Sequence, residues 1–350
     1  QAKITLGGGD TGESYGQLRI DNNASWAGPV TLLGTVTNSG DGFLGCESGV
    51  GYISGDIGEV GGPFVVGKAG TKTLVLTGNN AFRGPFWIKN GTLSLSSMTG
   101  VGTGAGPLGS PTSVAEGTVK IGFGTTSATL SYAGSGDTSD RVIDLAGSTG
   151  NATIDHSGTN TLTLSGGMTV SGTGLKTLTL QGGTNGVGVF SGIISNGVGS
   201  PVGVVKAGTG TWILSNANTY STNTQIKGGG TLVAAHPNAL GTGYVLFPNE
   251  PGTLDLAHDG AGETPYEIYM QAGAVGTIRS NRSAPGEGLN HTLGLMHLSG
   301  VTVIVTNGAN VTSGTPSITV PYIDLYAGSA NTTYLYPTTA DLIVTGGVSI

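Results

Sequence analysis

Side chains that could take part in acid–base catalysis or metal binding are densest in two stretches of this sequence, and most of them are carboxylates. The stretches are residues 137–144, with Asp137, Asp140, Arg141 and Asp144, and residues 255–267, with Asp255, His258, Asp259, Glu263 and Glu267. Paired carboxylates suit glycoside hydrolysis, and a carboxylate cluster beside a basic residue suits Ca²⁺-dependent glycan cleavage. Carboxylates at turns also keep a chain soluble, and we favour that interpretation because no acid, base and metal ligands converge. The sequence therefore predicts no catalytic residues and no enzyme.

Three glycine motifs match the patterns of cofactor and nucleophile sites. Residues 104–109 and 7–12 fit the dinucleotide fingerprint, and residues 12–16 fit the nucleophile elbow. Each site requires a helix after the motif, and the sequence predicts none. Because the chain has 67 glycines, such matches are expected by chance. We predict no cofactor.

Two histidines are spaced for a metal site. His291 and His297 are six positions apart, an even spacing that would put both on one side of a continuous strand. Gly294 between them is expected to interrupt that strand. A third ligand cannot be named. We therefore predict no metal site.

Tyrosines are concentrated toward the C-terminal end of the chain. The candidates for stacking on a ligand or partner are Tyr322, Tyr326, Tyr334 and Tyr336. Tyr334 and Tyr336 share one face of a strand because side chains alternate with a period of two. Exposed tyrosines would stack on sugar rings or on a partner protein, whereas buried ones would fill a core. The sequence leaves both possibilities open.

Charge and composition exclude several classes of partner. The 13 lysines and arginines are scattered against 20 acidic residues, for a net charge of −7, so we predict no nucleic-acid binding. No apolar run reaches the roughly 18–20 residues of a membrane helix, so we predict no membrane insertion. The single cysteine excludes an internal disulfide framework. Strand-like residues 3–6 directly after Gln1 suggest a secreted protein whose leader has been removed, although a trimmed chain would look the same.

The elements that must position these residues are short strands. Segments of alternating apolar and polar residues recur throughout, as in Thr161-Leu162-Thr163-Leu164, and Gly-Gly, Asn-Gly and Ser-Gly pairs separate them. An apolar stripe of helical period does not persist anywhere. The chain is therefore predicted to be all-β. Its core should include Leu162, Leu164, Leu178, Leu180, Ile213 and Leu214.

An internal repeat selects the architecture. Residues 68–82 align with residues 206–220 at an offset of 138. Residues 141–147 show a weaker similarity to residues 266–273. Repetition on this scale favours a single right-handed parallel β-solenoid over a pair of β-sandwiches, which remains the alternative. We predict one continuous solenoid over residues 1–350, with large repeats of approximately 1–109, 110–241 and 242–350. Because the neighbouring Ile213 and Leu214 cannot both point inward on a regular strand, we expect a bulge or corner at one of them.

The second repeat carries a recognisable motif. Residues 206–220 read KAGTGTWILSNANTY, followed by TQIKGGGTL at 224–232 and NALG at 238–241. This pattern resembles the autotransporter-associated β-strand repeat family, also called the passenger-associated transport repeat family. The resemblance implies a secreted bacterial β-helix at or outside the cell surface and says little about activity. The first copy departs from the pattern, with Lys72 in place of a glycine.

Two lysines open the equivalent repeats. Lys68 and Lys206 occupy matching positions, and we expect both to be turn residues at solvent with equivalent surroundings. We do not expect either to act as a catalytic base.

The two ends of the chain suggest a function. The sequence is strand-like from the start and to the last residue, and neither end has an obvious cap. We predict head-to-tail assembly into a fibre or surface layer, with residues 342–350 meeting residues 4–20 of the next copy. The competing explanation is that the chain is a fragment of a longer repeat protein. The candidate contact residues are Lys3, Ile4, Leu6, Leu342, Ile343, Val344, Val348 and Ile350. The alternative is an adhesin-type stalk that binds surface glycans through a tyrosine-bearing flank, and a glycan-active enzyme ranks third.

Overall fold

The computed structural model describes residues 2–7, 16–33, 42–259, 264–325 and 332–349. The chain divides into two compact units. Unit 1 contains Gln1–Leu178 with Gly197–Ser200, and unit 2 contains Thr179–Asn196 with Pro201–Ile350. The three large repeats proposed from the sequence stay a prediction.

Unit 1 consists of short strands and one helical turn. Its strands are β1 (Ile4–Leu6), β2 (Leu18–Arg19), β3 (Ser25–Trp26), β4 (Val30–Leu33), β5 (Phe43–Gly45), β6 (Val50–Ile53), β7 (Ile57–Val60), β8 (Val66–Ala69), β9 (Thr73–Leu76), β10 (Phe86–Ile88), β11 (Gly91–Leu95), β12 (Val119–Ile121), β13 (Ala128–Tyr132), β14 (Asp137–Ser139), β15 (Ile143–Leu145), β16 (Ala152–His156), β17 (Asn160–Leu164) and β18 (Met168–Thr169). The helix α1 (Val114–Gly117) was not predicted, and the Ser113 hydroxyl caps it by accepting from the Glu116 N–H.

Unit 2 is built in the same way. The strand β19 (Lys176–Gly182) contains the boundary between the units. The strands that follow are β20 (Gly186–Phe190), β21 (Val202–Lys206), β22 (Thr211–Leu214), β23 (Thr224–Ile226), β24 (Thr231–Ala234), β25 (Val245–Phe247), β26 (Pro251–Leu256), β27 (Ile268–Met270), β28 (Val275–Ser280), β29 (Gly286–Glu287), β30 (Asn290–Thr292), β31 (Met296–Leu298), β32 (Thr302–Asn307), β33 (Val311–Ser313), β34 (Ser317–Leu325), β35 (Tyr334–Pro337) and β36 (Asp341–Ser349).

Each sheet is a stack of strands from successive turns of the chain. In unit 1 the sheets run β1-β4-β7, β2-β5-β8-β10-β12-β15-β18, β3-β6-β9-β11-β13-β16 and β14-β17. In unit 2 they run β21-β23-β25-β27-β31-β34, with β30 and β36 also paired to β34, then β20-β22-β24-β26-β28-β32-β35, and β29-β33. The strand pairs within these sheets are parallel, which rules out the antiparallel sandwich alternative. The predicted all-β parallel solenoid is confirmed, with about 13 turns in the two units together.

The core follows from the alternation of side chains. In unit 1, Leu74, Leu93, Leu130 and Ile154 occupy one register position in successive turns, and all four are fully buried. Each such side chain contributes roughly 1.5–3 kcal/mol of transfer free energy. The predicted core residues at 162, 164, 178, 180 and 214 are also buried.

Ile213 departs from its prediction. Trp212 and Leu214 point inward, while Ile213 between them is half-buried on the outer face. The strand β22 is regular and pairs residue by residue with β24, so the expected bulge or corner is absent from it. The sequence interpretation was wrong because it did not assign Trp212 to the core.

No helix in the described part of the chain is long and apolar enough to cross a membrane.

Candidate functional site

A row of outward side chains on the sheet of unit 2 is the candidate site. The strands β25, β27, β31 and β34 each contribute a triplet in which the outer two residues are apolar and the middle one faces outward. The middle residues are Leu246, Tyr269, His297 and Asp324. Parallel strands lie about 4.8 Å apart, so side chains at one register position in successive turns must contact each other.

The geometry of this row is that of a stack. The Tyr269 and His297 rings lie 4.1 Å apart between centroids, at an interplanar angle of 16°. His297 Nδ1 is 3.4 Å from Asp324 Oδ2, and the Ser349 hydroxyl donates to Asp324 Oδ1 at 3.0 Å. The side chains therefore hold one another in place along the sheet.

A second outward row runs beside the first. Tyr244 is 41% exposed, and its ring centroid lies 4.6 Å from that of Tyr269. The Tyr269 hydroxyl donates to Glu267 Oε2 at 3.3 Å, and His297 Nε2 is 4.0 Å from the same oxygen. Tyr322, 47% exposed, precedes Ile323 on β34 and faces outward in this row. We call Tyr244, Glu267, Tyr269, His297, Tyr322 and Asp324 the tyrosine ladder.

An open groove begins at the Tyr244 end of the ladder. Its volume is about 390 Å³, within the range of small-ligand sites. The residues that line it are Thr242, Gly243, Tyr244, Thr264, Pro265, Tyr266 and Glu267. The groove places an aromatic face, hydroxyls and a carboxylate around one space.

This arrangement suits a neutral or cationic ligand with an apolar face. Aromatic rings attract C–H groups and cations through their negative faces. The partly exposed carboxylates of Glu267 and Asp324 accept strong hydrogen bonds from hydroxyl or ammonium groups. Their negative charge would repel an anionic ligand.

The tyrosines predicted from the sequence do not form one flank. Tyr322 belongs to the tyrosine ladder, whereas Tyr334 and Tyr336 lie on β35 in another sheet of unit 2. The two share a face as predicted: each is 49% exposed, and their rings are parallel at 6° with centroids 5.9 Å apart. Tyr326 lies outside the described residues. Sequence reasoning did not group Tyr244, Tyr269 and His297 with Tyr322.

The residues predicted for self-assembly lie on terminal strands of the two units. In unit 1, Lys3 is exposed directly before β1, and on β1 itself Ile4 is half-buried and Leu6 is buried. In unit 2, Leu342 and Val344 are half-buried on β36, at the register positions of buried Ile318 and Val320. The remaining described pair, Ile343 and Val348, is exposed at 43% and 54%. Ile350 lies outside the described residues.

The first acidic stretch stabilises turns. Arg141 is buried and donates to the carbonyls of Thr99, Gly109 and Gly117. Asp140 accepts from the Val101 N–H at 2.7 Å. Asp144 is buried and accepts from the Ser171 N–H and hydroxyl and from Thr169. These contacts are structural and join segments of unit 1 that are 24 to 42 positions apart in the sequence.

The second stretch is dispersed. Asp255 is buried, and this burial raises the pKa of its carboxyl although Arg279 lies 3.9 Å away. Asp259 pairs with Arg282 at 3.1 Å, Glu267 belongs to the tyrosine ladder, and Glu263 lies outside the described residues. His258 is buried with its ring 4.7 Å from that of His291.

The two spaced histidines are not neighbours on one strand. His291 is buried on β30, where Nε2 lies 2.8 Å from the Asn281 carbonyl, and His297 faces outward on β31. The segment around Gly294 separates the two strands. Within the described ranges, no three His, Cys, Asp or Glu side chains are placed to hold a metal ion.

The expectation for Lys68 and Lys206 was wrong in one respect. Both side chains are fully buried at strand ends instead of lying at solvent in turns. Lys68 Nζ donates to the Gly70 and Asn90 carbonyls, and Lys206 Nζ donates to the Ala207 and Gly208 carbonyls. Their surroundings are therefore equivalent in kind, as predicted. Backbone carbonyls at these turns point away from the strand ladders and need a donor. The lysine ammonium groups supply it, which explains why they are buried there.

A third lysine repeats this arrangement and was not anticipated. Lys176 is buried, and its Nζ donates to the Gly147, Ser148 and Thr173 carbonyls. Burial lowers the pKa of Lys68 and of Lys206 to about 8, and it also lowers the pKa of Lys176. Its position at the start of a strand, before Thr-Leu-Thr-Leu, gave no signal that distinguished it from an exposed lysine.

Comparison with known proteins agrees with this repeat structure. The family model described as passenger-associated-transport-repeat matches residues 67–95 and 204–234. These segments cover most of β8 through β11 and of β21 through β24. The resemblance predicted from residues 206–220 and from the earlier copy is thus confirmed.

A curated relative extends over more of the chain. The protein named adhesin BmaC autotransporter, from Brucella suis biovar 1, is 31% identical over 247 residues. The match covers 70% of this chain and 6% of the adhesin, so the chain spans a small part of that protein's length. No solved structure matches the chain significantly.

Proposed function

We propose that this chain is a passenger-type segment of a bacterial surface adhesin, in which the solenoid displays the tyrosine ladder to bind carbohydrate. The passenger-associated transport repeats and the similarity to a protein named as an autotransporter adhesin support a secreted or surface-displayed protein with a non-enzymatic role. The observation that carries the binding proposal is the ladder itself, with two exposed tyrosine rings and two partly exposed carboxylates on one outward face.

The proposed ligand is a neutral or amino sugar. The apolar face of a pyranose would stack on Tyr244 or Tyr322, and its hydroxyls would donate to Glu267 or Asp324. A sheet surface with aromatic and carboxylate side chains on successive strands suits an extended oligosaccharide. Acidic sugars would be disfavoured by the ladder's carboxylates.

An immobilised panel of neutral, amino and acidic oligosaccharides tests this proposal, followed by calorimetric titration of the best neutral binder. We expect Tyr244→Ala and Tyr322→Ala each to weaken binding by about fivefold to tenfold, as loss of one aromatic stacking contact of about 1 kcal/mol predicts. The matched control is Tyr52→Ala, because Tyr52 is 42% exposed on unit 1 and lies outside the ladder. Equal losses in all three variants, or no binding to any neutral or amino sugar, would overturn the proposal.

Head-to-tail assembly is the second candidate function. It is favoured by β36, whose half-exposed Leu342 and Val344 continue an inner stripe and whose outer edge no described strand pairs. Such an edge can accept another parallel strand, from a second copy or from further turns of a longer chain. Sedimentation velocity across a concentration series distinguishes a second copy from further turns of a longer chain. Self-assembly predicts species whose size increases with protein concentration and that Val348→Lys suppresses. A monomer at all concentrations would exclude a homopolymer.

A further inference from the structure

Unit 1 carries a second outward aromatic surface, of opposite charge to the tyrosine ladder. Phe43, Gly67, Trp87 and Lys120 occupy one register position on β5, β8, β10 and β12. The Trp87 ring contacts Phe43 edge-on at 6.2 Å and Phe123 at 5.5 Å between centroids. We call Phe43, Trp87, Lys89, Lys120 and Phe123 the Trp87 cluster.

Glycine makes this cluster possible. A Cβ at Gly67 would lie 2.2 Å from the Phe43 ring. The Phe43 ring therefore occupies the space that a side chain at position 67 would fill. Trp87 Nε1 donates to the Gly122 carbonyl at 2.8 Å, which fixes the indole against the sheet. The aromatic platform is therefore held in place before any ligand arrives.

Two lysines lie on this platform. Lys89 Nζ is 4.0 Å from the Phe43 centroid, 5.3 Å from that of Trp87 and 5.1 Å from that of Phe123. Lys120 Nζ is 5.6 Å from the Trp87 centroid. Cation–π contacts of this kind position ammonium groups without neutralising them.

The cluster reaches solvent through Phe123, Trp87 and the two lysines, whereas Phe43 is buried. Phe123 is 45% exposed, and Trp87, Lys89 and Lys120 are each half-buried. Asp144, the next residue in the Lys120 register position, is buried and directs its oxygens to Thr169 and Ser171. Among the described residues Lys120 forms no ion pair with a carboxylate.

We propose that the Trp87 cluster binds acidic carbohydrate, in which a pyranose bearing a carboxylate or sulfate stacks on Trp87 and Phe123 while the anion pairs with Lys89 and Lys120. Charge complementarity selects this ligand, because the ammonium groups of Lys89 and Lys120 lie over the aromatic rings and attract an anion locally, although the chain as a whole carries a net charge of −7. The aromatic faces select a sugar ring over a simple anion. This site is independent of the tyrosine ladder in both position and ligand charge.

The test is titration of the intact chain with three tetrasaccharides of equal length, containing glucuronate, sulfated glucose or unmodified glucose. Tryptophan fluorescence and calorimetry provide independent readouts, and Trp87→Phe should abolish the fluorescence change. We expect the two acidic ligands to bind in a salt-sensitive manner and the glucose ligand not to quench Trp87. The preference between carboxylate and sulfate identifies the source of the anion.

Variants assign the binding to the cluster. Lys120→Gln should weaken binding of the acidic ligands about fivefold, the upper range for an exposed ion pair, while Lys120→Arg should retain it. Phe123→Ala should weaken binding by a similar factor through lost stacking, about 1 kcal/mol. The matched control is Lys72→Gln, which removes an exposed lysine of unit 1 away from the cluster.

Three results would overturn the proposal. Failure of both acidic ligands to bind would do so, as would equal losses in Lys72→Gln and Lys120→Gln, which would indicate non-specific attraction. A polyglutamate peptide that competes as well as the acidic sugars would show that the cluster recognises acidic protein instead. Circular dichroism melting of each variant checks that the fold is retained.

Discussion

Asn80 and Asn218, 138 positions apart, make the same two hydrogen bonds in the two passenger-associated transport repeats. Asn80 Oδ1 accepts from the Ile57 N–H and its Nδ2 donates to the Pro107 carbonyl. Asn218 Oδ1 accepts from the Ile194 N–H and its Nδ2 donates to the Ala239 carbonyl. Each asparagine is buried and bridges the preceding and following turns of its own unit.

Removing this bridge should destabilise unit 2. Asn218→Ala leaves a buried N–H and a buried carbonyl without partners, at a cost of about 2–4 kcal/mol. Urea unfolding followed by the fluorescence of Trp212, which is buried in the same unit, measures the loss. The matched control is Asn223→Ala, a half-buried asparagine near Asn218, which we expect to change the free energy of unfolding by less than about 0.5 kcal/mol. Equal effects in the two variants would contradict a bridging role.

The buried lysines give a pH dependence with a defined sign. The pKa of Lys68 and of Lys206 in the folded chain is about 8, below the roughly 10.4 of an unfolded lysine. Between these values the unfolded chain binds more protons, so the free energy of unfolding rises with pH. The expected gain is about 1 kcal/mol per lysine between pH 7.5 and 9, measured by urea unfolding.

Replacement of one lysine isolates this effect. Lys206→Met keeps the aliphatic stem but cannot titrate, so the stability of unit 2 should no longer rise over this range through Lys206. Lys227→Met is the control, because Lys227 is a half-buried lysine of the same repeat, directly after β23, and its replacement should leave the slope unchanged. A wild-type stability that is flat or falls from pH 7.5 to 9 would contradict burial of the charged lysines.

The solenoid was predictable because its two determinants are local. Alternation predicts the strands, and the repeat at an offset of 138 residues indicates that they stack. The strands expected at residues 73–77 and 211–214 correspond to β9 (Thr73–Leu76) and β22 (Thr211–Leu214). The errors at Lys68 and Lys206 have a physical reason: a lysine at a repeat corner looks like a surface residue until the carbonyls that surround its Nζ are known. The sequence also gave no sign that Asn80 and Asn218 are buried.

The tyrosine ladder was not predictable because the turns differ in length. Tyr269 pairs with His297, 28 positions later, and His297 with Asp324, 27 positions later, whereas Thr211 pairs with Thr231 after 20. A signal was nevertheless present. Aligning the triplets Val-Leu-Phe, Ile-Tyr-Met, Met-His-Leu and Ile-Asp-Leu by their apolar outer residues places Tyr269, His297 and Asp324 in one column.

The strand β22 offers a test of the alternation itself. Leu214 is fully buried, and its neighbour Ile213 lies on the outer face. Leu214→Ala should therefore cost about 2–5 kcal/mol by leaving a cavity, whereas Ile213→Thr, at an outward position of a strand, should cost less than about 1 kcal/mol. Urea unfolding compares the two, and a larger loss in Ile213→Thr would mean that the register of β22 is wrong.

Tyr269 is the residue whose replacement best separates stacking from hydrogen bonding in the ladder. Its ring lies between those of Tyr244 and His297, at 4.6 and 4.1 Å, and its hydroxyl donates to Glu267. Tyr269→Phe keeps the rings and loses the hydroxyl, so affinity for a neutral oligosaccharide should fall only about twofold to threefold, which corresponds to roughly 0.5 kcal/mol. Tyr269→Ala removes the middle of the stack and frees Tyr244 to turn. Affinity should then fall up to about tenfold, because ordering the freed Tyr244 side chain on binding costs roughly 0.5–1.5 kcal/mol. Calorimetric titration measures both, with Tyr334→Ala as the control because Tyr334 is an exposed tyrosine that lies on β35 in another sheet. If Tyr334→Ala loses as much affinity as Tyr269→Ala while Tyr269→Phe and Tyr269→Ala are indistinguishable, the carbohydrate binds at β35 and the ladder is only a structural stack.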